Sequence, residues 1–581
     1  MSFLDLRPTP PSAQPDAPVR WSTYSRQPLL MSWPVALCLL LILLLPGLIG
    51  RDPWRGDDAE QFGVIAQLLS GGSWLTPMFQ QEVWNQSPLY YWVNALIAWP
   101  FTFFLDIPDA ARIGNLFWVA LAAYALYQAA KASLAQQDAM TLIFLMFGAP
   151  GLMLTTHETQ PDLAVMAGYA VFFWGTSRLC FNNVAPGSPL TALGLGITIL
   201  AGGLPLGLPL IIVLLGLILA RPKLRLNSLI ALLLGLLLGL VWFIHAAAFA
   251  DVSASNLADA LFEAIWPTTS LRNVQDIPAH LLTFTKLLAW TTWPAWPIAL
   301  WTLWRRRLTF WRRENMIPLA VLLLALLIQV CTAAARPSKS LVLLMPMLLL
   351  ATASVTHLRR GAANLLDAFT LTLFTLTAGF VWLGWTAMHF GWPESLAQTV
   401  IRLEPGFKTS LTLIPPAIAF LLTTGWFVLM RNIPRSPVRG IQHWFTGITL
   451  IWALVVALWL PWLDHGMSFT GLGKQLARQI DTPGCVATYL VDDDARAALS
   501  YQLGRDMPRA HIAAGKTCLW LLVQTPGNQT ETRLPKSWTS GNKVWAGHRR
   551  GNRAERYTLY QRNATALPVA ESADPTAVRQ P

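Results

Sequence analysis

Charge is what this chain has least of: only 12% of its 581 residues are Asp, Glu, Lys or Arg. A soluble chain of that length forms several domains and needs far more charge to solvate them, so that class is excluded. The few acids avoid the long apolar runs, and no internal repeat is found. Both facts argue against a transporter or flippase, which places ionisable residues at mid-membrane, often in repeated halves. No small-residue cleavage site follows the first apolar run, which is also too long for a signal-peptide core and reads as a retained helix. No nucleic-acid module accompanies the formal net charge of +12. The basic residues instead form short clusters between apolar runs, the pattern of cytoplasmic loops facing anionic lipid. Cysteine is scarce, with five in all. Cys38, Cys180 and Cys331 lie in or at the ends of apolar runs. Cys485 and Cys518 share a polar C-terminal region, where a disulfide and two free thiols are both open.

Apolar residues are what is abundant, at 54% of the chain, with a mean hydropathy of +0.44. Runs such as LLMSWPVALCLLLILLLPGLIG are long enough to cross a hydrocarbon core of about 30 Å. Span candidates fall near 28–50, 114–132, 138–155, 162–180, 190–203, 205–220, 228–250, 285–304, 316–335, 339–358, 363–388, 409–430 and 442–463. The segment 89–105, rich in Tyr and Trp at its start, reads as a helix lying in the interface. With that segment uncounted and Arg20 and Arg26 inside, the clusters at Arg221/Lys223/Arg225, Arg305–Arg307 with Arg312 and Arg313, Arg359/Arg360 and Arg431/Arg435/Arg439 all face the cytoplasm. Counting it reverses every cluster. The stretch 190–220 is about 46 Å long at 1.5 Å per residue, and Gly202-Gly203-Leu204-Pro205 predicts a tight hairpin of two short helices there.

The resulting expectation is an α-helical polytopic membrane protein of about thirteen spans with its N-terminus in the cytoplasm. Residues 1–27 and 564–581 read as disordered tails, and 28–463 as the membrane module. Outside the membrane lie the first loop at 51–113, a short loop around 156–161, the stretch 251–284, and the region 464–563. That last region carries strand-like pieces (CVATYLV, TCLWLLV, ERYTLYQR) and is predicted to be a small periplasmic α/β domain.

Chemistry points first to Asp57 and Asp58, adjacent carboxylates just past a membrane helix in an acid-poor chain. Such a pair can take a proton from an incoming hydroxyl or amine, or hold a divalent metal ion. Acids at a helix start also serve the helix dipole, and Ala59–Leu69 reads as helical. A second cluster, His157-Glu158-Thr159-Gln160-Pro161-Asp162, falls on the same side of the membrane. Asp162 can equally cap the helix that follows Pro161. Two cations share that side, Arg112 and Lys339. They are suited to a lipid phosphate, or only to snorkelling at the interface.

These residues resemble the GT-C glycosyltransferases that include the lipid A aminoarabinose transferases and the protein O-mannosyltransferases. The family's first loop reads Asp-Glu, a helix, Gly-Asp-Trp-Leu-x-Pro, then Lys-Pro-Pro-Leu-x-Tyr-Trp. This chain has Asp57-Asp58, Gly72-Ser73-Trp74-Leu75-Thr76-Pro77 and Ser87-Pro88-Leu89-Tyr90-Tyr91-Trp92, without a gap. Arg112, Asp162 and Ser338-Lys339…Pro346 continue the likeness, which runs over about 28–360. Gln86 stands at the family's lysine, Ser87 at the first proline, Gly202-Gly203 at a Lys-Gly pair and Leu343 at a tyrosine.

The resemblance implies transfer of a sugar from undecaprenyl phosphate to lipid A, another glycan or a protein, at the outer face of a bacterial inner membrane. Asp57 is then the base or nucleophile-orienting carboxylate, with Asp58 as its partner. Asp162, Arg112, Lys339, Gln86, Tyr91, His157 and Glu158 would bind substrate, and Asp57 with Asp162 would hold a divalent metal ion if one is used. Membrane lipids complete the expected partners. The alternative readings are an inactive family member acting as a binding partner in envelope assembly, and a transporter or flippase.

Overall fold

The computed structural model describes residues 33–562 except 135, 183–186, 250–253, 267–276, 310–311, 333, 356–357, 409–411, 434–435, 527–533, 536–537, 539–540 and 550–554. The tails expected at 1–27 and 564–581, and with them Arg20 and Arg26, lie outside the described residues, as does Arg435.

Long apolar runs in a solvent without hydrogen-bond partners must satisfy their backbone internally, so they fold as helices. Among the described residues nine helices are long and apolar enough to cross a membrane. A tenth forms if Ala139–Phe147 and Pro150–Thr156, bent by 66°, count as one span. That tally treats Gly187–Ala220 as a single helix, but Gly203 (φ 77°, ψ 178°) breaks it. A Cβ on Gly207 would lie 2.6 Å from Ile199 Cγ1 and 3.7 Å from Leu195 Cδ1. A straight helix holds those residues about 12 and 18 Å apart along its axis. The chain therefore reverses at Gly203, and this is the hairpin expected from Gly202-Gly203-Leu204-Pro205. Counting its two arms separately gives eleven among the described residues. The expected thirteen also needs Trp33–Leu44 and the pair Ile277–Thr291 and Ala295–Arg305, none of which has the length of a span by itself.

Leu89–Phe101 is a helix of only 13 residues, about 20 Å long and too short to cross. Leu96 and Trp99 on its outer face are exposed, as are Phe103 and Phe104 beyond it. Its inner face is fixed by Asn94, which donates to the Ala111 carbonyl and Asn115 and accepts from the Trp118 indole.

Two helices form the centre of the bundle. Ser340–Val355 is buried along its whole length and Asp162–Ser177 nearly so. Arg360–Phe390 and Ile414–Asn432 instead turn Leu365, Leu376, Phe420 and Leu421 outward, the surface expected of helices that meet lipid. Small residues let the central helices touch: a Cβ on Gly194 would come within 2.3 Å of the Phe172 amide nitrogen, so only glycine permits that approach.

The C-terminal unit is a four-stranded sheet in the order 486–489, 520–526, 555–561, 542–548. Its first pair is parallel and the other two are antiparallel. Asp493–Leu503 lies in the crossover that a parallel pair requires. Cys485 and Cys518 are disulfide-bonded, which decides between the two possibilities the sequence left open. The strand Asn542–His548 has no sequence signal because it is an outer strand without buried alternation. This unit sits on the first loop. A Cβ on Gly63 would be 2.8 Å from that of Ala497, and Phe62 meets Tyr501 edge-on at 5.2 Å. Glu82 bridges to Arg509 at 3.1 Å.

Candidate active site

Asp57 and Asp58 open the helix Asp57–Leu69, and the rotation of about 100° between neighbours gives them different surroundings. Asp58 is buried. Its carboxylate accepts from the Arg51 guanidinium at 2.8 Å, the Thr159 amide at 2.7 Å and hydroxyl at 2.8 Å, the Trp54 amide at 3.0 Å and Arg112 at 3.4 Å. Burial alone would raise its pKa. Arg51, Arg112 and the two amides outweigh that and hold it well below the usual carboxylate range. With its acceptor positions filled, Asp58 is a knot joining the first loop to the 157–161 loop.

Arg112 belongs to the same knot. It is buried and donates to the main-chain carbonyls of Arg51 at 3.0 Å and Asp52 at 2.8 Å, and to Asp109 at 3.1 Å. His157 packs on Trp452 with ring centroids 4.2 Å apart, and its Nδ1 lies 2.6 Å from the Met153 carbonyl. Burial lowers its pKa to about 4, so it is neutral near pH 7. Both residues shape the loops and neither faces an open surface.

Asp57 is different. Its side chain is partly exposed and pairs with Arg336. Three residues beyond Arg336, Lys339 bonds Asp162 at 2.9 Å. Lys339 and Asp162 stand at the starts of the two most buried helices, so the pair is held on the most rigid part of the bundle. Arg336 senses Asp57, Glu60 and Asp162 together, which puts these four groups in one charged cluster.

Two further carboxyls border it. Glu60 is pushed up to about 7 by burial and then by Asp57 and Asp493, and Glu158 to about 7 by burial and then by Asp58. The Tyr91 hydroxyl donates to Gln86 at 2.9 Å and also contacts Gln61. Ser87 donates to the Ala264 carbonyl at 3.2 Å. A Cβ on Gly203 would lie 2.9 Å from both the Ala264 and Ile265 carbonyl oxygens, so the hairpin tip closes against the same segment.

The structure thus brings Asp57, Asp162, Lys339, Glu158, Gln86 and Tyr91 to one end of the bundle and moves Asp58, Arg112 and His157 into its supports. Sequence reasoning missed Glu60 and Arg336. Each lies three residues from a residue it did single out, Asp57 and Lys339, and that spacing was the available signal. A metal ion fits poorly. Asp57 and Asp162 are each bonded to their own cation, and no group of three or more His, Cys, Asp or Glu able to hold a metal occurs among the described residues.

No family model matches the chain. It is 31% identical over 94 residues to the undecaprenyl phosphate-alpha-4-amino-4-deoxy-L-arabinose arabinosyl transferase of Yersinia pestis, 16% of each chain. A second such transferase, from Sodalis glossinidius, is 27% identical over 92 residues. These matches span about one sixth of the curated relatives' length, 16% in each case. The crystal structure of ArnT from Cupriavidus metallidurans bound to undecaprenyl phosphate superposes with a TM-score of 0.64 at 13% identity, over 92% of this chain and 98% of that one. The chain is a multi-pass membrane protein with the GT-C-type fold.

Proposed function

We propose that this protein is a membrane glycosyltransferase that moves a sugar from a polyprenyl phosphate, of the undecaprenyl class, to an acceptor such as lipid A, another glycan or a protein. The observation that carries the reading is the Asp57–Arg336 pair beside the Lys339–Asp162 pair, at one end of a fold shared with a protein solved with undecaprenyl phosphate.

The donor phosphate carries one negative charge as a diester and gains nearly a second as it leaves, so the site needs cations that respond to it. In this reading Arg336 and Lys339 receive the phosphate. Arg336 exchanges Asp57 for the phosphate, and Asp57 becomes free to take the proton of the attacking hydroxyl or amine. The acceptor oxygen or nitrogen bonds the anomeric carbon, the bond from that carbon to the phosphate oxygen breaks, and polyprenyl phosphate departs. Tyr91, Gln86 and Glu158 line the acceptor and sugar. Arg336 answers the absence of lysine at Gln86 and Gly202.

The same reading puts the site at the periplasmic face of the bacterial inner membrane, with the N-terminus in the cytoplasm. Arg306 donates to the Ala353 carbonyl, so it lies at the opposite end of Ser340–Val355 from Lys339, as the positive-inside pattern requires. The Cys485–Cys518 disulfide suits an oxidising compartment. In a strain lacking the gene, mass spectrometry of envelope lipids and glycoproteins tests the proposal. A mass equal to one sugar should return with the wild-type protein and not with Asp57→Asn. An unchanged envelope, with the wild-type protein well expressed, favours a binding partner instead.

A further inference from the structure

A second polar cleft, of about 330 Å³, adjoins the Asp58 knot. Asp52, Asp464, Ser468, Thr470, Lys474 and Arg478 line it. It opens where the membrane helix Arg439–Met467 ends and Thr470–Ala477 begins, so it sits at the end of a span. Pro461 reaches into the lining from the membrane helix itself.

Its charges are arranged unusually. Asp52 Oδ2 accepts the hydroxyls of Ser468 and Thr470. Asp464 Oδ1 accepts the Trp54 indole N–H at 2.9 Å and the Asp52 amide at 3.2 Å. Among the described residues neither carboxylate has an ion-pair partner, although adjacent carboxylates repel. Lys474 and Arg478, exposed and four residues apart, also line the cleft and likewise have no carboxylate partner among the described residues. The two signs share one cleft without meeting. Such a site is complementary to a ligand that carries both charges at a fixed separation. Two carboxylates side by side suit a primary ammonium, which has several N–H donors to share, better than a quaternary one, which has none.

We propose that this cleft binds the headgroup of a zwitterionic phospholipid of the phosphoethanolamine class, its ammonium between Asp52 and Asp464 and its phosphate on Lys474 and Arg478. The lipid is the source because the cleft lies at the end of a membrane helix. A filled cleft would also brace the first loop. Arg112 holds the Asp52 carbonyl and Trp54 holds Asp464, so the ligand would act on the segment that carries Asp58.

Native mass spectrometry of the delipidated full-length protein tests this. The probe is an equimolar mixture of phosphatidylethanolamine, phosphatidylcholine and phosphatidylglycerol with identical acyl chains. Phosphatidylethanolamine should be retained about tenfold over the other two, and that preference should vanish in Asp464→Asn. Lys474→Gln combined with Arg478→Gln alters only the exposed rim, so it keeps the test valid should Asp464→Asn misfold. The rim variant should lose retention by about the same factor. Equal retention of the ethanolamine and choline lipids would overturn the proposal, and so would undiminished phosphatidylethanolamine retention in the rim variant. So would displacement of the lipid by equimolar glycerophosphoethanolamine, since the cleft would then serve a soluble compound.

Discussion

Neighbouring aspartates with opposite roles give the sharpest test of this structure. Asp58→Asn removes a charge that faces two buried guanidiniums, and its new amide N–H₂ must point at Arg51 or at the Thr159 amide, both donors. Arg112 Nε already lacks a partner, so that guanidinium has little to turn to. Removing one member of a buried ion pair costs about 3–5 kcal/mol, because an uncompensated charge remains inside. Asp57→Asn breaks only its pair with Arg336, whose side chain is 54% exposed, and stability should hardly change. Loss of a general base, by contrast, lowers turnover by about 10²–10⁴-fold. Melting curves and limited proteolysis of the detergent-purified variants, run beside a transfer assay, separate the two effects. Asp58→Asn should melt early and be cut in the first loop, while Asp57→Asn should melt as wild type and be inactive. A stable Asp58→Asn, or an unstable Asp57→Asn, would refute the assignment of knot and base.

Arg336→Gln should melt normally and lower kcat by about 10²–10³-fold, measured by steady-state transfer, if it holds the leaving phosphate. Glu60 is raised to about 7, so the native state holds a proton there that the unfolded state releases near the ordinary glutamate value. Its stabilising contribution is therefore complete below about pH 4.5 and is lost as pH rises through about 7. Glu60→Gln should raise the melting temperature at pH 8 and leave it unchanged at pH 4. Gly203→Val puts a side chain against the Ala264 and Ile265 carbonyls at a positive φ, and folded yield by size-exclusion profile should fall sharply. Replacing Cys485 and Cys518 by Ala opens a loop of 33 residues' separation, and should lower the C-terminal unit's stability by about 3–4 kcal/mol in denaturant titration.

The membrane architecture was legible because it answers a one-dimensional question. A hydrocarbon layer of about 30 Å admits only long apolar runs, and these can be read residue by residue. The hairpin at Gly203 was equally local, written as two glycines and a proline. Three strands of the C-terminal unit showed as strand-like pieces between turn residues, and the fourth, Asn542–His548, gave no such signal. The first-loop motif is equally local, and it marks the end of the bundle where the charged cluster lies.

What each charged side chain does there was decided by folding. Asp57 and Asp58 are adjacent and chemically identical in sequence. One is bonded to Thr159, 101 residues away, and the other to Arg336, 279 residues away. Arg112 reads as a phosphate ligand until its donors are seen to be taken by main-chain carbonyls. Glu60 and Glu158 are ordinary glutamates until burial beside other carboxylates raises both. The pairing of Cys485 with Cys518 likewise needed a sheet to bring the two together. Hydropathy is a property of a segment, so sequence alone determined that this is a multi-pass membrane protein built on long apolar helices. A carboxylate's task depends on which charges and donors surround it in space, and only the packed structure assembles those from distant parts of the chain.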